Sequence, residues 1–259
     1  MIEMSLKERR CTSASVMWYV ILFRQDHTGK PILPTADLPL RSEDWQKERP
    51  DEGMKRLLLF SRPGETVKQK IVPLLFPHEI DQKVFAFLPS EGLRGSEKYI
   101  DLAPEWQALA EQHHAEFVLI DNAAEEVAEE HAKLRRANIL FITGGNTCLL
   151  SRNLRRSGLD RIIREFTQQE HYVLAGYSAG AMILTPSIEY EVVAFDPCAN
   201  EEAGLLDFEG LHLVEYEIAP HYIDEDEEVL EAYRKTRSYE VRALTDDEYL
   251  LVEREHAST

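Results

Sequence analysis

Cationic excess is the first thing this chain lacks. Its formal net charge is −18, which argues against a phosphate-backbone partner, since nucleic-acid binding needs a basic face, and no nucleic-acid partner is expected. Cysteine is scarce: Cys11, Cys148 and Cys198 are odd in number and form no ligand-spaced pair. That argues against a disulfide framework and a thiolate metal site, and the simplest compartment is the reducing cytoplasm. Long apolar runs are missing too. Val16–Phe23 follows Lys7, Arg9 and Arg10 but is far too short to span a bilayer. Arg24-Gln25-Asp26-His27 comes next without a small-residue cleavage site, so the run reads as an aromatic and β-branched strand and not as an export signal. No membrane partner is expected. No G-x-G-x-x-G follows the first strand of the regular region and no Gly-Lys-Ser/Thr occurs, which removes the dinucleotide fingerprint and the P-loop. Neither an organic cofactor nor a metal is called for. There is no internal repeat and no low-complexity tract.

What is present falls into two parts. Residues 1–53 carry prolines, scattered charge and little periodicity, ending in Arg49-Pro50-Asp51-Glu52-Gly53. They read as an N-terminal extension with one strand and an irregular linker. From 54 to 259 a regular pattern takes over. Strands are expected at Lys55–Phe60, Lys83–Leu88, Glu116–Ile120, Asn138–Ile142 and Val173–Ala175. Helices are expected at Thr66–Leu75, Pro104–His114, Ala123–Leu134, Thr147–Arg156 and Leu159–Gln168. Apolar strands alternating with helices predict a parallel sheet covered on both faces, a three-layer α/β/α arrangement. Beyond Pro186 the pattern loosens. Ile188–Phe195 alternates, Leu211–Ile218 looks extended, and Ala243–Glu253 resembles a hairpin turning at Asp246-Asp247. The acidic run Asp224–Glu228 reads as the solvated, capped start of a helix over Val229–Lys235.

The chemistry concentrates in Tyr172–Ala181 (Tyr-Val-Leu-Ala-Gly-Tyr-Ser-Ala-Gly-Ala). A G-x-S-x-G pentapeptide between a strand and a helix holds Ser178 on a tight turn at the sheet edge, with the following N–H free to meet an oxyanion. A plain Gly/Ala/Ser turn would look the same, so the serine needs company. Gly144-Gly145-Asn146-Thr147 ends the preceding strand and opens a helix, a setting whose backbone N–H groups can bind an anion. A serine also needs a base. His221, in Ile218-Ala219-Pro220-His221-Tyr222, follows an apolar strand toward the same edge, whereas His113, His114, His131 and His256 sit in polar helical or terminal settings.

Phe141-Ile142-Thr143-Gly144-Gly145-Asn146-Thr147, then Gly-Tyr-Ser-Ala-Gly-Ala, then Ala-Pro-His-Tyr, in that order and spacing, resemble the peptidase E (dipeptidase E, S51) family. Cyanophycinases are its relatives, and the wider fold is that of class I glutamine amidotransferases. The resemblance covers about Met54 to Val252. It implies a flavodoxin-like parallel sheet and a serine hydrolase with Ser178 as nucleophile, His221 as general base, and Gly145 and Ala179 as oxyanion donors. It also places an orienting acid soon after a Ser/Thr-Pro-x-Ile stretch, here Thr185-Pro186-Ser187-Ile188. Asp196 lies nearest that place, with Glu189 and Glu191 as rivals. Amidotransferases carry cysteine at the elbow, and this chain carries serine; Cys148, on the first turn of a helix, reads as a small packing residue.

The implied activity is hydrolysis of small peptides, Asp-X among them. A cyanophycinase-like peptidase and a non-catalytic ligand-binding relative are the alternatives. A preference for aspartate would need a cation, for which Arg234, Arg237 and Arg242 are the candidates. The stretch after Ala-Pro-His-Tyr departs from the aspartyl-dipeptidase pattern, and so acidic a surface repels acidic substrates at long range. The expected partner is therefore a small peptide, the assembly a monomer or homodimer.

Overall fold

The computed structural model describes residues 18–22, 24–25, 31–32, 53–93 and 101–254. Cys11, His256 and the linker at 33–52 lie outside them. Its centre is a seven-stranded sheet. The strands are β1 (Trp18–Leu22), β4 (Lys55–Phe60), β5 (Val84–Leu88), β6 (Glu116–Leu119), β7 (Ile139–Ile142), β8 (Tyr172–Tyr177) and β11 (Tyr249–Arg254), in the order β1-β11-β4-β8-β7-β5-β6. A short antiparallel pair, β2 (Arg24–Gln25) with β3 (Pro31–Ile32), stands apart from it.

The five strands from β4 to β6 are parallel, and β11 and β1 close one edge in antiparallel register, Val20 opposite Val252 and Leu251 opposite Leu58. Without β4, the order β8-β7-β5-β6 is that of a flavodoxin-like sheet. The fifth position is filled by the strand that comes first in the regular region. That exchange puts the carboxyl ends of β4, β8 and β7 side by side, and in open α/β sheets reactive groups gather beyond those ends.

Alternation along the strands builds both outer layers, as the period of two requires. Leu58, Phe60, Phe85, Phe87, Phe141 and Val173 face helices α1 (Glu65–Leu75) and α2 (Ala103–Gln112), meeting Val67, Ile71 and Trp106. Leu57, Leu59, Leu88, Leu140, Ile142 and Leu174 face the other way. There they meet α3 (Val127–Arg136), α4 (Thr147–Ser157) and α5 (Leu159–Phe166) through Leu134, Leu150, Leu154, Ile162 and Phe166. The aromatic side is tightly interleaved, with the Trp106 and Phe141 ring centroids 4.2 Å apart. Burying each such ring stabilises the fold by about 1.5–3 kcal/mol. The three-layer α/β/α expectation holds.

Beyond β8 the chain departs from expectation in four places. Glu191–Phe195 forms one wide helical turn and not an extended run. Within Leu211–Ile218 only the end is strand: β9 covers Glu217–Ala219. Ala243–Glu253 is not a hairpin, because β9 pairs in parallel with β10 (Val241–Ala243) in a small separate sheet, while β11 joins the main sheet beside β4. The turn at Thr245–Glu248 therefore connects two sheets. The helix after the acidic run is α7 (Glu227–Arg234), entered through a tighter turn in which the Asp226 carboxylate accepts from the Ile223 N–H at 3.3 Å. The helix expected from Ala123 starts at Val127.

Candidate active site

Ser178 terminates β8. Its N–H still donates to the Phe60 carbonyl of β4 at 2.9 Å, so the serine is anchored to the sheet up to its own residue. The backbone then turns sharply, with φ 48° and ψ −116° at Ser178. A non-glycine residue in this region stores of order 1–3 kcal/mol. A short helix, α6 (Ala179–Met182), follows at once, the Ala181 and Met182 N–H groups bonding back to the Ser178 carbonyl. The elbow is possible because its flanking positions are bare. A Cβ on Gly176 would lie 2.2 Å from the Gly180 carbonyl oxygen, and one on Gly180 would lie 2.2 Å from that of Ile142. The helix thus rests directly on the backbone of two strands.

The turn after β7 lies against the elbow, since a Cβ on Gly144 would meet the Tyr177 ring at 2.7 Å and the Ser178 Cβ at 3.2 Å. The Gly144 carbonyl accepts hydrogen bonds from Ser90 Oγ at 2.6 Å and Thr143 Oγ1 at 3.0 Å. In a trans peptide the N–H points opposite to the C=O, so this clamp turns the Gly145 N–H away from the buried hydroxyls. Gly145 itself has φ 141°, a conformation that disfavours side chains. Among the described residues neither the Gly145 nor the Ala179 N–H has a protein acceptor. Asn146, next in line, caps α4 through its side chain to the Leu149 N–H at 2.9 Å and holds the Ala199 carbonyl with its amide, also at 2.9 Å.

His221 arrives from the small sheet. After β9 the chain turns with φ 59° at His221, and the buried Ser61 hydroxyl locks that turn. Ser61 Oγ accepts from the His221 N–H at 3.0 Å and donates to the Leu244 carbonyl at 2.9 Å. One hydroxyl beyond β4 thereby fixes the ends of β9 and β10. The imidazole Nε2 lies 2.9 Å from Ser178 Oγ, and Nδ1 lies 2.6 Å from Asp246 Oδ1. The carboxylate accepts the Nδ1 proton, which leaves Nε2 as the acceptor facing the serine. The Phe195 ring stands edge-on to the imidazole, centroids 6.1 Å apart.

The structure thus brings together Ser178, His221 and an acid, but the acid is not the expected Asp196. Asp196 is exposed, and its carboxylate accepts from the Cys198 N–H at 2.9 Å in a local turn. The helical turn at 191–195 carries it past the imidazole, which meets Phe195 instead. The rivals are engaged elsewhere: Glu189 pairs with Arg237 at 2.6 Å, and Glu191 bonds to Thr147 Oγ1 at 2.6 Å. Burial pushes the Glu191 carboxyl up to about 7, with the Thr147 bond opposing and Asp196 adding to the rise. Cys148 is buried, and desolvation first, then Glu191 and Asp196, raises its thiol to about 12, which removes it as a nucleophile.

A cavity of about 480 Å³ opens in front of Ser178 and His221, walled by Ser61, Arg62, Leu102, Tyr177 and Asp246. The three arginines considered after His221 do not reach it. Arg234 bonds to Glu231 and the Val241 carbonyl, Arg237 to Glu189, and Arg242 to Glu240 while stacking on Tyr216. Among the described residues the cation on the cavity wall is Arg62, which follows the first regular strand at a distance in sequence from every motif. Among the described residues no three His, Cys, Asp or Glu side chains converge as a metal site, and no helix is long and apolar enough to cross a membrane.

A model of peptidase family S51 matches residues 57–259. Among curated proteins, "Uncharacterized peptidase PM1590" of Pasteurella multocida is 29% identical over 71% of this chain and 87% of its own length. "Uncharacterized peptidase Lmo0363" of Listeria monocytogenes is 36% identical over 40% of this chain; that match spans about half (49%) of the relative's length. "Probable alpha-aspartyl dipeptidase" of Drosophila melanogaster is 38% identical over 35% of each chain. A crystal structure of a "Putative Peptidase E Protein" from Listeria monocytogenes EGD-e superposes with a TM-score of 0.60 at 25% identity, covering 79% of this chain and all of that one.

Proposed function

The chain belongs to peptidase family S51, and on that premise we propose that it is a serine-type peptidase of small peptides, working through an acyl-enzyme formed on Ser178. The observation that carries this reading is the continuous hydrogen-bonded line from Ser178 Oγ through His221 to Asp246, 2.9 and 2.6 Å long, on a strained elbow at a cavity. A binding module has no need of that alignment.

The steps follow from the geometry. His221 Nε2 takes the hydroxyl proton as Ser178 Oγ attacks the peptide carbonyl. Asp246 holds the imidazole in the required tautomer and balances the imidazolium that forms. The Gly145 and Ala179 N–H groups receive the oxyanion, a task that suits them because neither has an acceptor among the described residues. His221 then gives its proton to the departing amine, and a water activated by the same imidazole releases the acid. No step asks for a metal or an organic cofactor.

A cavity of this volume suits a substrate of about two residues, in line with a dipeptidase. An aspartyl preference draws support from the printed name of the Drosophila relative, but not from Arg234, Arg237 or Arg242, which are all paired. The test has two parts. A fluorophosphonate probe labels the protein and fails to label Ser178→Ala; intact protein that stays unlabelled sinks the mechanism. A dipeptide library varied at the first residue then reads specificity, and equal rates across it eliminate the aspartyl preference.

A further inference from the structure

The cavity has a direction. His221 must deliver its proton to the leaving nitrogen, so the space beside Nε2 on the His221–Asp246 flank belongs to the leaving residue. Gly145, Asn146 and Ala179, which bound the acyl side, are absent from its wall. Among the described residues the one arginine or lysine on that wall is Arg62, whose side chain is 69% exposed. Among the described residues its sole hydrogen-bond partner is Asp246 Oδ2, through Nη1 at 3.4 Å. That long contact occupies one of five guanidinium donors. The guanidinium is separated from Nε2 by only the width of the imidazole and one carboxylate, and a leaving amino acid carries its α-carboxylate two bonds from the nitrogen that Nε2 protonates.

We propose, resting on the peptidase reading above, that Arg62 receives the free α-carboxylate of the leaving residue and so restricts cleavage to the last peptide bond of short substrates. A net charge of −18 repels anions at long range, so an acidic end-group needs a specific cation to settle here. A guanidinium binds a carboxylate through two parallel N–H donors while a third keeps Asp246. The N-terminal end of α1 at Gly64, also on the wall, adds positive potential of the same sense. Amidation of the substrate's C-terminus, which keeps its shape and removes its charge, abolishes this interaction.

The experiment compares kcat/KM for an Xaa-Leu dipeptide series with free and amidated C-termini, in the full-length protein, Arg62→Gln and Arg62→Lys. The expected preference for the free acid is about tenfold or more, expressed chiefly in KM. It collapses toward one in Arg62→Gln and returns in part in Arg62→Lys. A ratio near one in the unaltered protein, or a ratio unchanged by Arg62→Gln, overturns the proposal. If Arg62 only positioned Asp246, both substrate forms would slow equally and the ratio would persist. If it instead gripped the first residue's side chain, an Asp-Leu preference would vanish with no acid-to-amide effect; that too overturns it. Absence of any Ser178-dependent hydrolysis defeats the peptidase reading itself, a result distinct from hydrolysis without discrimination.

Discussion

Replacing Asp246 by asparagine tests the assignment of the orienting acid. The substitution keeps volume and removes charge. In the resting enzyme the carboxylate accepts the Nδ1 proton at 2.6 Å, and in the transition state it faces an imidazolium at about 4 Å between charge centres. Such a pair is worth about 4 kcal/mol at the effective dielectric of a protein surface and about 1 kcal/mol in bulk water. The Asp246 side chain is 41% exposed and shared with Arg62, so the true value lies between those limits. Asp246→Asn should therefore lower kcat by a factor between about 5 and 10³, with little change in KM. An asparagine amide presented to Nδ1 also favours the wrong tautomer, which pushes the loss toward the upper end. The assay is steady-state hydrolysis of a dipeptide together with the second-order rate of fluorophosphonate labelling, both of which depend on Ser178 activation. Asp196→Asn serves as the comparison and should stay within about twofold, because surface changes away from special features have small effects. A loss in Asp196→Asn matching or exceeding that in Asp246→Asn would refute the reasoning and restore the acid expected from the family pattern.

Other perturbations separate the supporting parts. Glu191 has its carboxyl raised by burial from 4.5 to about 7, so the folded state binds the proton more tightly than the unfolded chain and stability falls as pH rises through that window. Between pH 5 and 8 the intact protein should lose about 2–3 kcal/mol relative to Glu191→Gln; parallel denaturant titrations at the two pH values read this, and identical pH dependence would contradict it. Ser61→Ala leaves the His221 N–H and the Leu244 carbonyl without their shared partner and should cost about 1–3 kcal/mol of stability, seen as a lower denaturation midpoint together with reduced labelling of Ser178. Gly180→Ala forces a Cβ to 2.2 Å from the Ile142 carbonyl oxygen; thermal unfolding should drop by several degrees for each kcal/mol lost, and an unchanged midpoint would mean the helix can lift off the sheet. Cys148 should resist alkylation in the native protein, judged by mass spectrometry.

The central sheet was legible because each parallel strand is a continuous apolar run between turn signals. Lys55–Phe60 matches its expected bounds, three of the others shift by one residue at one end, and the strand before Ser178 extends by one residue at its start and two at its end. Ser178 and His221 were legible for a related reason: a nucleophile elbow is a local device, three small residues around a serine, and the histidine stands at a strand end. Asp246 was not. Its place depends on β9 and β10 pairing in parallel across the whole of α7, and two three-residue strands carry too little pattern to reveal a partner. Read alone, Ala243–Glu253 has the alternation of a hairpin, and only the chain's crossing from one sheet to the other turns Asp246 toward the imidazole. Arg62 escaped notice in the same way. It is remote from every motif, and only the lateral order of β4 beside β8 brings it to the cavity.

That lateral order also explains how the site holds together. With β4 next to β8, the residue following β4 is Ser61, whose hydroxyl joins the ends of β9 and β10 to the main sheet. His221 and Asp246 are both delivered by those ends, so the distance between serine and imidazole is set by backbone and not by long side chains. His221 and Asp246 stand on short turns, but turns pinned by Ser61 to the ends of three strands, and catalytic hydrogen bonds are sensitive to shifts of about 1 Å. The exposed contribution is left to Arg62, a long side chain for which reach matters more than precision. On the reading proposed above, the chemistry is fixed at the sheet edge and reception of the leaving residue's carboxylate falls to one side chain beyond it.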